Sequence, residues 1–160
     1  MKLRRTSPDQ FVLQFARREF RLLSDTLQLY PLVPPAHHRV ASPDQPPFNE
    51  EFQRLLDEAL AEDRRQKRDL LRTLLNEPQR ANQTSRGVEL TLTRSQIDWL
   101  LQVLNDVRVG SWLALGEPEP NAPPDFKEAN GRFLIALEVC GMFQSILLAA
   151  LGVEQSPQWG

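Results

Sequence analysis

The clearest pattern of hydrophobic and polar positions lies between residues 99 and 115, which read WLLQVLNDVRVGSWLAL. The apolar residues recur at the three- and four-residue spacing of a helix that is buried along most of its length. Three polar residues interrupt this run close together: Asn105, Asp106 and Arg108. Because buried polar groups need partners, this trio is the first place to look for a structural or functional site.

A helical wheel separates the three residues. Arg108 projects beside the apolar arc of the helix, Asp106 lies near the margin of that arc, and Asn105 lies on the polar side. A guanidinium among apolar side chains needs a carboxylate, and Glu138, in the apolar part of the last helix, is the obvious candidate. We therefore predict a structural ion pair between Arg108 and Glu138. The alternative hypothesis is that Asn105, Asp106, Arg108 and Glu138 line a pocket for an anion or a partner.

Period-two alternation predicts short strands at residues 2–6, 11–15 and 88–92. An internal similarity supports the last two: FVLQFARREFRLL at 11–23 aligns with VELTLTRSQIDWL at 88–100. Both copies are interpreted as a strand followed by a helix, with Thr93 as the N-cap of the second helix. For residues 11–15 one alternative stays open, because Ser7-x-x-Gln10 also resembles the capping box of a longer helix.

Helical periodicity predicts further helices over about 17–30 and 126–151, the second apolar on nearly every side. Residues 49–76 form either one long helix or two helices that meet near Leu60. Prolines predict an internal connector at 31–47 and an exposed loop at 116–125, and polar residues predict a loop at 79–87. The whole pattern predicts a predominantly α-helical α+β fold. In it, a small antiparallel sheet of about three strands packs on a core of four to five helices, with helices 93–115 and 126–151 paired at the centre.

Length and composition suit a single domain over residues 1–160, and the net charge of −2 argues against general binding of nucleic acid. One cysteine, Cys140, excludes an internal disulfide and fits a reducing cytoplasm. Residues 133–151 approach the length of a membrane span. Because they carry Glu138 and Gln144, a buried core helix or a helix shared between two copies is the favoured interpretation.

Candidate catalytic chemistry is sparse. Cys140 lies among apolar residues, which favours an inert core thiol, and the pair His37-His38 has no neighbouring ligands at metal-binding spacing. Basic residues at 64–72 alternate with acids in helical pairs such as Asp63–Lys67, which is typical of a solvated helix face. We predict no metal or cofactor site, and no spacing singles out an enzyme.

The segment VELTLTRSQIDWLLQVLNDVRVGSWLALG resembles an uncharacterised bacterial family, domain-of-unknown-function family 2017. The residues that carry the resemblance are Trp99, Leu100, Val103, Leu104, Asn105, Asp106, Arg108 and Gly116. The N-terminal FVLQFARREFRLLSDTLQLYP and the helix EEFQRLLDEAL are also similar to the layout of that family. The resemblance implies a regulatory accessory role and no catalytic or binding residues.

These observations favour a non-catalytic, cytoplasmic regulatory or adaptor protein that acts through contacts with another protein. The surplus of apolar helix surface also predicts a homodimer through helix 126–151. The alternative is a small-ligand or anion-binding protein, an enzyme included, that uses the polar residues around Arg108. A regulator that binds DNA is disfavoured, because the acids at 57–69 interrupt the main cluster of basic residues.

Overall fold

The computed structural model describes residues 1–34, 49–76, 81–84 and 86–152. Within them the chain forms two β-hairpins and four long helices, in an order that repeats a hairpin followed by a helix. The elements are β1 (Lys2–Ser7), β2 (Gln10–Phe15), α1 (Arg17–Leu27), α2 (Glu50–Asn76), β3 (Ala81–Thr84), β4 (Gly87–Thr93), α3 (Arg94–Ala114) and α4 (Gly131–Ala150), with a 3₁₀ turn at Glu128–Asn130 before α4.

The sheet has the strand order β1-β2-β4-β3, and all neighbouring strands are antiparallel. At its centre three apolar pairs face the helices: Phe11 opposite Leu92, Leu13 opposite Leu90, and Phe15 opposite Val88. Leu13 and Leu90 occupy the same position in the two similar segments, 11–23 and 88–100, and they also lie opposite each other in the β2–β4 pair. The two hairpin-helix units are therefore related by an approximate two-fold axis through this pair. Each copy is a strand followed by a helix, as predicted, and residues 11–15 are not a helix start.

Side chains near the two strand ends fix where α1 and α3 begin. The Glu19 carboxylate accepts a hydrogen bond from the backbone N–H of Ala16 at 2.7 Å. At α3, the Thr93 hydroxyl accepts from the backbone N–H of Gln96, and the Gln96 amide oxygen accepts from the N–H of Thr93. This reciprocal capping box satisfies two donors that the first turn leaves without a helical partner. Thr93 is therefore the N-cap, as predicted.

The predicted pairing of the third and last helices is confirmed, because α3 and α4 form the most extensive helix–helix contact. Of the predicted apolar arc of α3, Leu115 is only half-buried, and the other five residues are buried: Ile97, Leu100, Val103, Leu104 and Val107. They join the inward side chains of the sheet and of α4 in one core. The predominantly helical α+β fold is thus confirmed.

Residues 50–76 form one continuous helix rather than two. Its C-terminal end joins the core through Leu71 and Leu74. The polar loop predicted at 79–87 is wrong at Ala81–Thr84, which pairs with β4 as a fourth strand. Alternation of apolar residues fails to identify a strand of this kind, because it lies at the edge of the sheet and its sequence, ANQT, is polar.

Within a single chain α4 is covered on one side only, and the homodimer contact predicted for this helix stays a prediction. Ile135, Met142 and Leu148 are exposed along its outer side, and only one side of the helix packs on α3, α1 and β1. By length and composition the stretch Glu128–Ala150 would be able to cross a membrane. Core helices of soluble proteins meet the same criterion, so this finding is weak support for a span.

Candidate functional site

A large concavity lies between the C-terminal half of α3, the loop at 116–125 and α4. We call it the α3–α4 groove; its volume is about 1040 Å³. Its apolar wall includes Val109, Trp112, Leu134, Leu137 and Met142, and its polar positions include Asn105, Arg108, Glu138 and Ser145. Three of the four predicted site residues therefore line one groove. The fourth, Asp106, does not.

The end of α3 builds the outer wall of the groove. The N–H of Gly116 donates to the carbonyl of Leu113, and the N–H of Glu117 donates to that of Trp112, which together form a Schellman motif. Gly116 has a φ of 84°, a value that glycine adopts without steric cost. Glu117 has a φ of 57°, which costs a residue with a side chain about 1 kcal/mol or more. This strained turn directs the proline-rich loop back toward α4.

Trp112 holds that loop in place. Its indole Nε1 donates a 3.0 Å hydrogen bond to the carbonyl oxygen of Pro118, and its ring stays 39% exposed on the groove side. An aromatic ring with a satisfied polar group and an exposed face is typical of an interface residue. Trp112 is thus not part of the core, whereas Trp99 is half-buried against it.

Arg108 is exposed, so the prediction of a buried Arg108–Glu138 ion pair is wrong. Its guanidinium donates to the side-chain oxygen of Gln144 at 3.1 Å, and Glu138 is itself exposed on α4. The wheel placed Arg108 beside Ile97, Leu101 and Leu115; Ile97 is fully buried, but Leu101 and Leu115 are only half-buried. Because α4 covers α3 incompletely on this side, the long arginine side chain reaches solvent at the groove.

Asp106 has a structural role on another side of α3. Its carboxylate accepts hydrogen bonds from the backbone N–H groups of Leu32 and Val33, at 2.7 Å and 3.2 Å. One turn later, Gly110 lies so close to Leu32 that a Cβ there would be 2.6 Å from the leucine side chain. From α2, Arg64 donates to the carbonyl of Val33 at 2.7 Å. Asp106 thus fastens the start of the connector.

The groove is acidic overall. Glu117, Glu119, Asp125 and Glu138 contribute four carboxylates to its lining, against the single guanidinium of Arg108. Outside the lining, Lys127 forms an exposed ion pair with Asp125 at 3.3 Å. An excess of negative charge around an apolar wall favours a cationic occupant and repels an anionic one.

Two other candidate groups are held in their neutral forms. Burial raises the pKa of the Cys140 thiol to about 12, while the nearby Arg108 charge acts weakly in the opposite direction. Cys140 is therefore a buried thiol, as predicted, and a poor nucleophile. Burial also raises the pKa of Tyr30 to about 12, with the Asp106 charge as the next cause.

Among residues 1–34, 49–76, 81–84 and 86–152, no three histidine, cysteine or acidic side chains lie close enough to hold a metal ion. His37, His38 and the connector beyond Pro34 lie outside the described residues. The predicted solvated face at 64–72 is largely confirmed: Asp63 and Lys67 are 2.8 Å apart, and Arg65 pairs with Glu62 at 2.6 Å.

Sequence reasoning missed the groove residues contributed by the loop and by α4, above all Glu117, Glu119, Met142 and Ser145. The sequence predicts an exposed loop at 116–125 directly after helix 93–115. Together with two predicted neighbouring helices, these signals place the loop near the end of α3. They do not indicate that it turns toward α4.

A scan against models of known protein families, a search of the curated proteins and a search of the solved structures each found no match to this chain.

Proposed function

We propose that this chain is a non-catalytic regulatory or adaptor protein of the cytoplasm, which binds a segment of another protein in the α3–α4 groove. The observation that carries the proposal is the composition of that groove. It combines exposed apolar residues, Val109, Trp112 and Met142, with a surplus of carboxylates along its rim. A helical segment with an apolar stripe and flanking lysines or arginines would complement both features.

The resemblance to domain-of-unknown-function family 2017 belongs to the same proposal, since it implies an accessory role. Its motif residues divide between the two sides of α3. Asn105 and Arg108 line the groove, whereas Asp106 holds the connector.

The alternative is an anion-binding site at Arg108. Its support is an exposed guanidinium whose hydrogen-bond partner, Gln144, is uncharged. The four carboxylates that share the lining count against it, because an anion in the groove would be repelled by more charges than attract it.

Selection of peptides from a random phage-displayed library tests the proposal. We expect the selected peptides to carry apolar residues at helical spacing together with lysine or arginine. Fluorescence polarisation of these peptides should show at least about tenfold weaker binding to Met142→Glu, equivalent to about 1.4 kcal/mol.

The matched control is Leu148→Glu, which places the same charge on α4 at a similarly exposed residue outside the groove lining. It should bind the peptides as the unchanged protein does. An equal loss of peptide affinity in both variants, or an unchanged peptide affinity in Met142→Glu, would contradict the assignment of the groove as the binding site. Selection of acidic peptides, or binding of inorganic phosphate that Arg108→Ala abolishes, would favour the anion alternative.

A further inference from the structure

Most of α2 has little contact with the rest of the described chain. The helix has 27 residues and is about 40 Å long, yet its buried side chains are Leu71 and Leu74, near its C-terminal end. Closer to its N-terminal end, Phe52 is 54% exposed and Leu55 is 51% exposed. The N-terminal half of α2 therefore presents large apolar side chains to solvent.

These side chains form a continuous stripe. Phe52, Leu55, Leu56, Ala59 and Leu60 follow the spacing i, i+3, i+4, i+7 and i+8, which is the pattern of a helix face that packs against another helix. We call this set the α2 stripe. Ion pairs within the helix, such as Arg54–Glu58 at 3.0 Å, are exposed and contribute only a few tenths of a kcal/mol each. Phe52, Leu55 and Ala59 are exposed and Leu56 and Leu60 are half-buried within the described chain, so the stripe is able to bind a second apolar surface.

The charges along α2 indicate which surface this is. Residues 50–63 contain six acids and one arginine, and residues 64–76 contain five bases and one acid. The helix thus has a strongly negative half and a strongly positive half. A second α2 in the antiparallel direction would place each negative half beside a positive half, whereas a parallel α2 would place like charges together.

We infer that the α2 stripe binds the α2 helix of a second copy of this chain, antiparallel, with a two-fold axis near residue 63. That axis relates position 56 of one helix to position 70 of the other. Leu70, which is 40% exposed, would then contact the stripe of the second copy. Such an interface is self-complementary, as a two-fold dimer requires. It uses a different surface from the α3–α4 groove, so either proposal stands if the other fails.

The first test is the oligomeric state, measured by sedimentation equilibrium from micromolar to submillimolar protein. We expect the unchanged chain to dimerise, more weakly at high salt, and Leu55→Glu to be monomeric with an unchanged circular dichroism spectrum. The matched control is Ile135→Glu on α4, at a residue that is similarly exposed (54%). It should dimerise normally. A chain that stays monomeric overturns the inference, and so does a dimer that Ile135→Glu abolishes and Leu55→Glu preserves.

The second test reverses the charge of one residue in each half of α2, and its result depends on whether the two helices are antiparallel. One variant carries Glu58→Lys and the other carries Arg68→Glu, because the two-fold axis near residue 63 places positions 58 and 68 of the two helices opposite each other. Each variant alone would bring like charges together, so its dimer should be at least about tenfold weaker. A mixture should form heterodimers, because each altered half then meets an opposite charge. If the mixture dimerises no better than the separate variants, the antiparallel arrangement is wrong.

Discussion

At the scale of single residues, adjacent polar positions on α3 have different roles. Asn105 is exposed at the groove, while Asp106, its neighbour, accepts two backbone hydrogen bonds from the connector. Arg108 lies on the groove side again. The wheel separated Arg108 from Asn105 and placed it in the core, because it assumes that the whole apolar arc is covered, whereas in the structure both residues line the groove and Asp106 lies apart from them.

We expect Asp106→Ala to lower the free energy of unfolding by about 1–3 kcal/mol, because two partly buried N–H groups lose their acceptor. Asn105→Ala, on the adjacent exposed residue, should change it by no more than about 0.5 kcal/mol. Urea denaturation followed by circular dichroism measures both. Equal effects would show that Asp106 does not fasten the connector.

Tyr30 provides a prediction of pH dependence. Its raised pKa, about 12, means that the folded state favours the neutral phenol. The contribution of the neutral Tyr30 phenol to the free energy of unfolding is therefore complete below the pKa of tyrosine in the unfolded chain, about 10. This contribution is lost as the pH rises from about 10 to about 12. Tyr30 is the sole tyrosine, so the near-ultraviolet absorbance of phenolate reports its titration directly.

The Tyr30→Phe variant is the control for that titration. It should lack the phenolate signal and lose less stability than the unchanged chain over the same alkaline range. A phenolate midpoint near pH 10 in protein that circular dichroism shows to be folded would contradict the assignment.

At the scale of elements, the sequence predicted well those segments whose apolar pattern is complete. Strands β1, β2 and β4 and helices α1 and α3 were recognised within a few residues of their bounds. The fourth strand was missed because ANQT has no apolar alternation, and its pairing depends on the neighbouring β4. The groove was missed for a related reason. The path of a proline-rich loop depends on contacts such as Trp112–Pro118 rather than on its own composition.

Two glycines in helices test how closely elements approach one another. Gly110→Ala should destabilise the protein by about 1–3 kcal/mol, because the new Cβ would overlap Leu32 in both its side chain and its backbone. Gly141→Ala places the same methyl group in open space on α4 and should stabilise the protein by about 0.5–1 kcal/mol. Thermal unfolding shows whether each variant is more or less stable than the unchanged chain. Stabilisation by Gly110→Ala would contradict the close approach of the connector to α3.

At the scale of the whole molecule, two hairpin-helix units are joined across β2 and β4, and α2 lies between them in the chain. The α3–α4 groove and the α2 stripe are separate surfaces, and the charges near each suggest different occupants. The groove has more carboxylates than basic groups, whereas α2 has halves of opposite charge. The first pattern suits a foreign basic segment and the second suits a copy of itself.

The order of the sheet also affects how the protein behaves at high concentration. Its two outer strands are β1, which exposes Lys2, Arg4 and Arg5, and β3, whose sequence is polar. An outer strand offers unpaired backbone groups that can recruit further strands, and this recruitment is opposed by the charged side chains of β1 and by the short length of β3, which has 4 residues. Growth into a fibril from either border of the sheet is therefore disfavoured. Self-association is left to helix surfaces, which can form a closed pair instead of an open-ended stack.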